Sequence, residues 1–186
     1  MIYVSLHVET TGINFDGPEV SSGHDIVSMG MVVCDSQFNI LGEDIFYNSD
    51  ADASASEQYH GISNKFLTKY GVNEEELFNQ MIGFLSTHMD LYYPIKIIGH
   101  NAASFTIPFL KDLMARQEAN LRISTNVIDT FSVLVVATGR DFTLQDILGA
   151  FPSDEEFLGK TELSALKKAR TYVNICKTLQ EGYNSG

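Results

Sequence analysis

Cysteine, tryptophan and proline are scarce in this sequence: it has two, none and four of them in 186 residues. Cys34 and Cys176 lie far apart, which argues against a disulfide framework or a cysteine metal site and favours two buried free thiols in a cytosolic protein. No apolar run approaches the roughly 20 residues that a membrane-spanning helix needs. The amino terminus lacks the charged region and cleavage site of a signal peptide. We therefore expect a cytoplasmic protein that has no membrane partner.

Basic residues are also scarce, and the formal net charge is −12. No Lys or Arg occurs between Met1 and His60, whereas ten acidic residues lie between Glu9 and Glu57. A tight general binder of nucleic acid would need a basic face to neutralise phosphates. A local groove or bound metals could still serve a nucleic acid. The acidic first third favours a basic protein partner. One small basic group comes late in the chain and comprises Lys160, Lys167, Lys168, Arg170 and Lys177.

The overall composition is that of an ordinary globular protein, with 44% hydrophobic and 19% charged residues. The length suits one domain with a core of its own, and we place that domain at residues 1–182, followed by a short tail at 183–186. We find no internal repeat, low-complexity tract or linker.

The order of the predicted elements indicates an α/β fold. Three β-rich runs come first and predict an antiparallel meander: Ile2–Val8, Ile26–Cys34 and Phe38–Tyr47. Short strands at Pro94–Gly99 and Asn126–Ile128 then alternate with helices. Helices are predicted at Ser54–Gln58, from Asn73 to about His88, and at Ser104–Asn120, Thr130–Thr138, Thr143–Phe151 and Thr161–Leu179. This pattern predicts a mixed five-stranded sheet flanked by helices.

Five stretches, in order along the chain, resemble the motifs of the DnaQ-like, or DEDDh, 3′–5′ exonuclease family. They are His7-Val8-Glu9-Thr10-Thr11-Gly12, the strand segment Ile26–Val33, His60-Gly61-Ile62-Ser63, the segment Gly99–Leu110, and Ile128-Asp129-Thr130-Phe131. The resemblance covers residues 2 to about 180 and implies a ribonuclease H-like fold. It also implies the chemistry of that family, in which four carboxylates hold two divalent cations and a histidine acts as general base.

The residues that would carry this chemistry are mostly replaced. On the family pattern Glu9 is retained, but His7 and Thr106 stand where two aspartates belong. In the last motif Lys160 stands in the place of the histidine and Ala165 in the place of the aspartate. We interpret Glu9 as a hydrogen-bonding group near the strand end, the alternative being a metal ligand.

The resemblance also implies a set of residues that could receive the end of a nucleic-acid strand. Each of them could instead have a purely structural role at a turn or at a strand-to-helix corner. These candidates are Thr10, Thr11, Gly12, His100 and Asn101.

Three functions remain open at this stage. The first is a catalytically inactive exonuclease-fold protein that binds a protein partner. The second is a non-catalytic binder of the 3′ end of single-stranded DNA or RNA, gripped with Lys160 and the nearby basic helix. The third is a residual exonuclease in which Glu162, one helical turn before Ala165, reaches the site. No cofactor is expected, except Mg²⁺ or Mn²⁺ if activity remains.

Overall fold

The fold is built on a five-stranded mixed sheet in the order β3-β2-β1-β4-β5. The structure is a computed structural model that describes residues 1–14, 16, 19–150 and 161–185. The strands are β1 (Tyr3–Thr10), β2 (Ile26–Cys34), β3 (Ile40–Tyr47), β4 (Ile97–Gly99) and β5 (Ile128–Asp129). Strands β1 to β3 are antiparallel, whereas β4 is parallel to β1 and β5 is parallel to β4. The predicted meander and the mixed sheet are confirmed.

Helices cover both faces of this sheet. They are α1 (Glu57–His60), α2 (Asn64–Tyr70), α3 (Glu74–His88), α4 (Thr106–Arg116), α5 (Thr130–Thr138), α6 (Leu144–Ala150) and α7 (Ser164–Asn184), with a 3-10 turn at Thr161–Leu163 before α7. In α3 the side chain of Asn73 accepts the amide hydrogen of Glu76 at 2.8 Å, and three glutamates follow in the first turn. These are the capping and charge preferences of a helix start, so the sequence locates this boundary well.

The alternation of side chains along β1 decides which residues face which helix layer. Val4, Leu6 and Val8 are fully buried in a core that they share with α3 and α4. Ser5, His7 and Glu9 therefore point to the other face, where α7 packs: the Ser5 hydroxyl donates to the Ala169 carbonyl at 2.7 Å. A polar row of β1 is thus enclosed beneath the longest of the helices described above.

Several predicted boundaries differ from the structure. β1 extends to Thr10, and the regular part of β3 begins at Ile40 because Phe38 turns with a positive φ of 58°. The regular part of the predicted fourth strand is Ile97–Gly99, and Ile95 forms an isolated bridge to Ile123. The fifth strand is Ile128–Asp129 and not Asn126–Ile128. The first helix is Glu57–His60, α4 is Thr106–Arg116, and α7 continues to Asn184. The last residue of the predicted helix Thr143–Phe151 lies outside the described residues.

One further helix has no counterpart among the predicted elements. Asn64–Tyr70 follows the His60–Ser63 stretch and begins where the Ser63 hydroxyl accepts the amide hydrogen of Phe66 at 3.2 Å. A serine at this cap position is the available sequence signal. Among the described residues, no helix is long and apolar enough to cross a membrane.

Candidate functional site

A cavity of about 1070 Å³ opens where β1 and β4 end, on the face of the sheet that α7 covers. Its wall contains the aromatic side chains of Tyr59, Phe105, Phe131, Phe142 and Tyr172. Polar side chains enter it from β1 and from the segment after β4. The predicted residues His7, Glu9, Thr10, Thr11, Gly12, His100 and Asn101 all line this cleft.

A bulge shapes the rim of the cleft at the end of β1. The pairing of β1 with β2 shifts register between Glu9 and Thr10, which bends the strand as bulges beside functional sites do. The Thr10 hydroxyl then donates to the Gly12 carbonyl at 2.9 Å, and the Thr11 hydroxyl accepts the amide hydrogen of Asp25 at 3.0 Å. A Cβ at Gly12 would lie 2.5 Å from the His24 ring, so any other residue there would require the His24 side chain to move. Thr10–Gly12 therefore form a fixed turn.

Glu9 is buried, and α7 engages one of its two carboxylate oxygens. Its Oε1 accepts a hydrogen bond from the Ser164 hydroxyl at 2.6 Å and lies 2.6 Å from the ammonium nitrogen of Lys168. Burial acts to raise the pKa of Glu9, but its neighbours His7 and Lys168 act more strongly in the opposite direction, so the net shift of the pKa is downward. The side chains of Glu9 and Lys168 are 10% and 14% exposed, so this ion pair is largely screened from water.

His7 has a long-range contact with Tyr172 and a local one with Glu9. Its Nδ1 lies 2.9 Å from the hydroxyl of Tyr172, and its Nε2 lies 3.7 Å from Oε1 of Glu9. Because a carboxylate only accepts, the proton of the neutral ring belongs on Nε2, and Tyr172 donates to Nδ1. Burial lowers the pKa of His7, so the ring is neutral and Lys168 supplies the positive charge beside Glu9.

His60 is neutral by a similar arrangement. Its Nδ1 accepts the amide hydrogen of Ile62 at 3.1 Å, so its Nε2 donates to the Ser56 hydroxyl at 2.9 Å. Burial lowers the pKa of His60. Protonation of Nδ1 of His60 would break the hydrogen bond that the Ile62 amide donates to it.

His100 presents an acceptor to the cleft. The Thr130 hydroxyl donates to the Gly99 carbonyl at 3.2 Å, so its oxygen accepts from Nδ1 of His100, also at 3.2 Å. The unprotonated Nε2 of His100 is thereby left for the cleft, and burial lowers the pKa of this ring too. The ring stacks on Tyr172, with centroids 6.2 Å apart.

Asp129 fixes the corner that Asn101 occupies. Its carboxylate caps α5 by accepting the amide hydrogen of Phe131 at 3.0 Å. The same carboxylate accepts the amide hydrogens of Asn101 and Ala102 at 3.2 and 3.0 Å, and the backbone of Asn101 has a positive φ of 52°. Asp129 is therefore the N-cap of α5, and the Asn101 side chain is left exposed at the cleft.

The three histidines His7, His60 and His100 make the stability of the folded chain sensitive to acid. Unfolded histidine takes up a proton near pH 6.5, whereas His7, His60 and His100 in the folded chain do so only at lower pH. Acidification below about pH 6.5 therefore favours the unfolded state, by up to about 1.4 kcal/mol per pH unit for each histidine that stays neutral when folded. Urea unfolding between pH 8 and pH 5 should show a constant free energy at the alkaline end and a fall below pH 7. A profile that is flat down to pH 5, or a slope that His100→Asn leaves unchanged, contradicts this assignment.

Two of the replaced family positions lie outside the cleft. Thr106 is the first residue of α4; it is fully buried, does not line the cavity, and its hydroxyl has no hydrogen-bond partner among the described residues. Ala165 is fully buried in the first turn of α7. Glu162, the substitute ligand of a residual exonuclease, does not line the cavity either. Lys160 lies outside the described residues.

Three residues that complete the network around β1 lie outside the sequence motifs: Ser164, Lys168 and Tyr172. Lys168 stands out in the sequence only as a member of a basic group. Its separation from Glu9 is 159 positions, so no local pattern reveals the pair. The available signal is the spacing of α7, because Ser164, Lys168 and Tyr172 follow one another at four-residue intervals and so share one helix face.

The site does not suit the two divalent cations of the family. Glu9 already shares Oε1 between a hydroxyl and an ammonium group, and Nδ1 of His7 is occupied by Tyr172. The positive charge of Lys168 would repel a cation that binds at Glu9. Across residues 1–14, 16, 19–150 and 161–185, no three His, Cys, Asp or Glu side chains are grouped so that they could hold a metal ion.

The fold is similar to that of solved exonuclease I structures. An exonuclease I structure superposes with a TM-score of 0.73 at 15% identity, over 97% of this chain and 41% of that chain. The zinc-bound E. coli exonuclease I–single-stranded DNA complex gives 0.73 at 14% identity, over 97% and 40%. The E. coli enzyme in complex with a 5cy-dT13 oligonucleotide gives 0.72 at 14% identity, over the same shares. This chain thus corresponds to about two fifths of the length of these proteins. No family model and no curated protein sequence matches it.

Proposed function

We propose that this chain is a catalytically inactive protein of the exonuclease fold that acts as a binding module, with a protein as its partner. The observation that carries the proposal is the ion pair of Lys168 and Glu9, 2.6 Å apart inside the cleft. Glu9 is the one family carboxylate that the sequence retains, and its charge is balanced by the chain itself. A cation that must first displace a covalently attached ammonium group binds poorly.

The charges of the cleft favour a protein over a nucleic acid. The ionic side chains that line it are Glu9, Asp141 and Lys168. Since Lys168 is committed to Glu9, the described wall offers no further Lys or Arg to a phosphate, and Asp141 would repel one. Aromatic walls with few charges instead suit an apolar side chain from a partner.

The surface around the first third of the chain adds to this preference. Two of its carboxylates are paired with arginines of this chain. Nη2 of Arg116 lies 3.8 Å from Oδ1 of Asp25, and Arg170 donates two hydrogen bonds to the carboxylate of Glu43. Other carboxylates of this part remain exposed, namely Asp16, Glu19, Asp44, Asp50, Asp52 and Glu57. Complementary charge would steer a basic partner toward this side of the molecule.

Catalytic inactivity is tested with a labelled single-stranded oligonucleotide in Mg²⁺ or Mn²⁺. We expect no degradation beyond that of the Glu9→Gln variant, because a single carboxylate tied to Lys168 does not provide for two-metal hydrolysis. Mn²⁺-dependent trimming from the 3′ end that disappears in Glu9→Gln would overturn the proposal and restore the residual exonuclease.

The binding role is tested by affinity capture with a pair of matched variants. Tyr59 is 80% exposed and lines the cleft, whereas Tyr183 is 88% exposed near the end of α7 and does not line it. We expect a partner captured by the wild-type chain to be lost with Tyr59→Ser and retained with Tyr183→Ser. Equal capture by both variants would refute the cleft as the binding site.

A second candidate is a non-catalytic binder of single-stranded 3′ ends. The observation that favours it is that Thr10, Thr11, Gly12, His100 and Asn101 line one cleft, and that similar folds are solved with single-stranded DNA. Anisotropy of a labelled oligo(dT) at low salt separates the two. Saturable binding that weakens with Asn101→Ala and with added salt would favour this candidate over a protein partner.

A further inference from the structure

A second surface with binding character lies at the opposite end of the sheet from the cleft. The cleft follows the last residues of β1 and β4, whereas this surface precedes their first residues. Two consecutive tyrosines stand out on it, Tyr92 and Tyr93, which are 73% and 63% exposed. Exposing large aromatic side chains to water is unfavourable in free energy, and protein interfaces are enriched in such side chains.

The two tyrosines are held in a fixed geometry. The carboxylate of Asp90 accepts the amide hydrogen of Tyr92 at 2.9 Å, and the Asp90 carbonyl accepts that of Tyr93 at 3.2 Å. The rings meet edge to face, with centroids 5.6 Å apart at 90°. The loop is therefore ordered by its own hydrogen bonds before any partner arrives, which lowers the entropic cost of binding.

One cation lies on the ring of Tyr92, and a second lines the same recess as Tyr93. The guanidinium of Arg122 lies over the ring of Tyr92, 5.2 Å from its centroid, and Lys96 lies 5.9 Å from the ring of Tyr3. Backbone hydrogen bonds tie the two segments together: Ile95 donates to the Arg122 carbonyl at 2.7 Å, and Ser124 donates to the Ile95 carbonyl at 2.8 Å. Within the described part of the chain, neither cation forms an ion pair.

A cavity of about 540 Å³ opens next to this group. Met1, Ile2, Met89, Tyr93 and Pro94 give it an apolar wall, while Lys96 and Asp90 are the charged residues that line it. Asp90 already accepts the amide hydrogen of Tyr92. The surface thus combines an apolar recess with the positive charges of Lys96 and Arg122, neither of which forms an ion pair within the described residues. It does so in a chain whose formal net charge is −12.

We propose that Tyr92, Tyr93, Lys96 and Arg122 form a second interaction site, which we call the Tyr92–Arg122 surface. Its occupant is a segment of a protein partner that carries a large apolar side chain beside a carboxylate. The apolar side chain enters the recess at Tyr93, and the carboxylate bonds to Arg122 and Lys96. Tyrosine and arginine at the centre of a patch are the residues that carry most of the energy of protein interfaces.

Single-stranded nucleic acid fits this surface less well. Successive bases need parallel aromatic faces on which to stack, whereas the two tyrosine rings are perpendicular and Arg122 covers one face of Tyr92. Two cations also neutralise few phosphates in an acidic chain. The proposal does not depend on the cleft, so it stands or falls separately from the proposed function.

The test is selection from a displayed library of random peptides on the immobilised chain, followed by anisotropy with a labelled synthetic copy of the enriched peptide. We expect the enriched peptides to place Asp or Glu next to Leu, Ile, Phe or Met. Binding should weaken about tenfold or more with Tyr93→Ser and with Arg122→Gln. Tyr183→Ser and Arg140→Gln change exposed residues elsewhere and should leave it unchanged, as should the cleft variant Tyr59→Ser.

Three results would overturn the proposal. The first is enrichment of basic peptides, or of no sequence at all. The second is binding that Tyr93→Ser and Arg122→Gln leave intact, and in particular binding that only Tyr59→Ser removes, which would assign the peptides to the cleft. The third is binding of oligo(dT) that Arg122→Gln abolishes, which would assign the surface to a nucleic acid.

Discussion

Replacing Lys168 by methionine is expected to lower the free energy of unfolding by about 3–5 kcal/mol, because it leaves the carboxylate of Glu9 buried without a compensating charge. Methionine retains most of the length of the lysine side chain, so little packing is lost. What disappears is the ammonium group 2.6 Å from Oε1 of Glu9. The neutral ring of His7 and the hydroxyl of Ser164 supply no charge in its place.

A double variant separates charge from packing in this prediction. Glu9→Gln removes the charge that Lys168 balances, so Glu9→Gln/Lys168→Met should recover much of the stability that Lys168→Met alone loses. Urea denaturation of the wild type, the two single variants and the double variant gives the coupling energy. Lys177→Met serves as a matched control on the same helix. Within the described residues Lys177 forms one side-chain hydrogen bond, to the amide oxygen of Asn39 at 3.4 Å, and its loss should change stability by no more than about 0.5 kcal/mol.

Acid provides an independent check on the same pair. An unpaired buried carboxyl group has a raised pKa. In the Lys168→Met variant, Glu9 should therefore take up a proton as the pH falls. The difference in stability between the wild type and this variant should therefore be largest near pH 7 and shrink toward pH 4. A difference that does not depend on pH would mean that Lys168 contributes packing and not charge.

The sequence predicts those parts of the fold in which neighbouring residues determine the outcome. The boundary at Asn73 and the cap at Asp129 follow from side chains that bond to nearby backbone groups, and the strand Ile26–Cys34 follows from its continuous apolar run. The predicted end of β1 comes too early because Glu9 and Thr10 are polar. Their strand pairing depends on β2 and on the cover provided by α7, neither of which a local pattern contains.

The site is predicted only in part for the same reason. The motifs of the family that the sequence resembles include seven residues that line one cleft, because the ends of the parallel strands β1 and β4 meet there: His7, Glu9, Thr10, Thr11, Gly12, His100 and Asn101. They do not reveal that Thr106 is buried outside the cleft. Nor do they reveal the partners of Glu9, because these come from a helix about 160 positions further along the chain.

Helix α7 emerges as the element that determines the character of the cleft. It contributes Ser164 and Lys168 to Glu9, Tyr172 to His7, and the Ala169 carbonyl to Ser5. All of these contacts depend on how closely the helix approaches the sheet. At Gly30 in β2 the helix approaches so closely that a Cβ would lie 2.2 Å from the Leu166 nitrogen and 2.3 Å from the Ala165 carbonyl carbon.

Gly30→Ala should consequently destabilise the chain by about 3 kcal/mol or more, in the upper range for overpacked cores. The clashing atoms belong to the backbone of the first turn of α7, so no change of side-chain rotamer can relieve the contact. The helix must move away from β2, and Ser164 and Lys168 must then move relative to Glu9. Urea denaturation should show a lower midpoint with an unchanged dependence on denaturant.

Gly83→Ala is the matched control, with the opposite expected sign. Gly83 lies within α3, and a Cβ added there would meet no atom within 4 Å beyond its own stretch of helix. Alanine should therefore stabilise the chain by about 0.5–1 kcal/mol through its higher helix propensity. If Gly30→Ala instead leaves the free energy of unfolding nearly unchanged, or raises it as expected for Gly83→Ala, then α7 can shift on the sheet at little cost. In that case the pairing of Lys168 with Glu9 would not be fixed by the packing of the helix, and a cation could compete for Glu9 more easily than the proposed function requires.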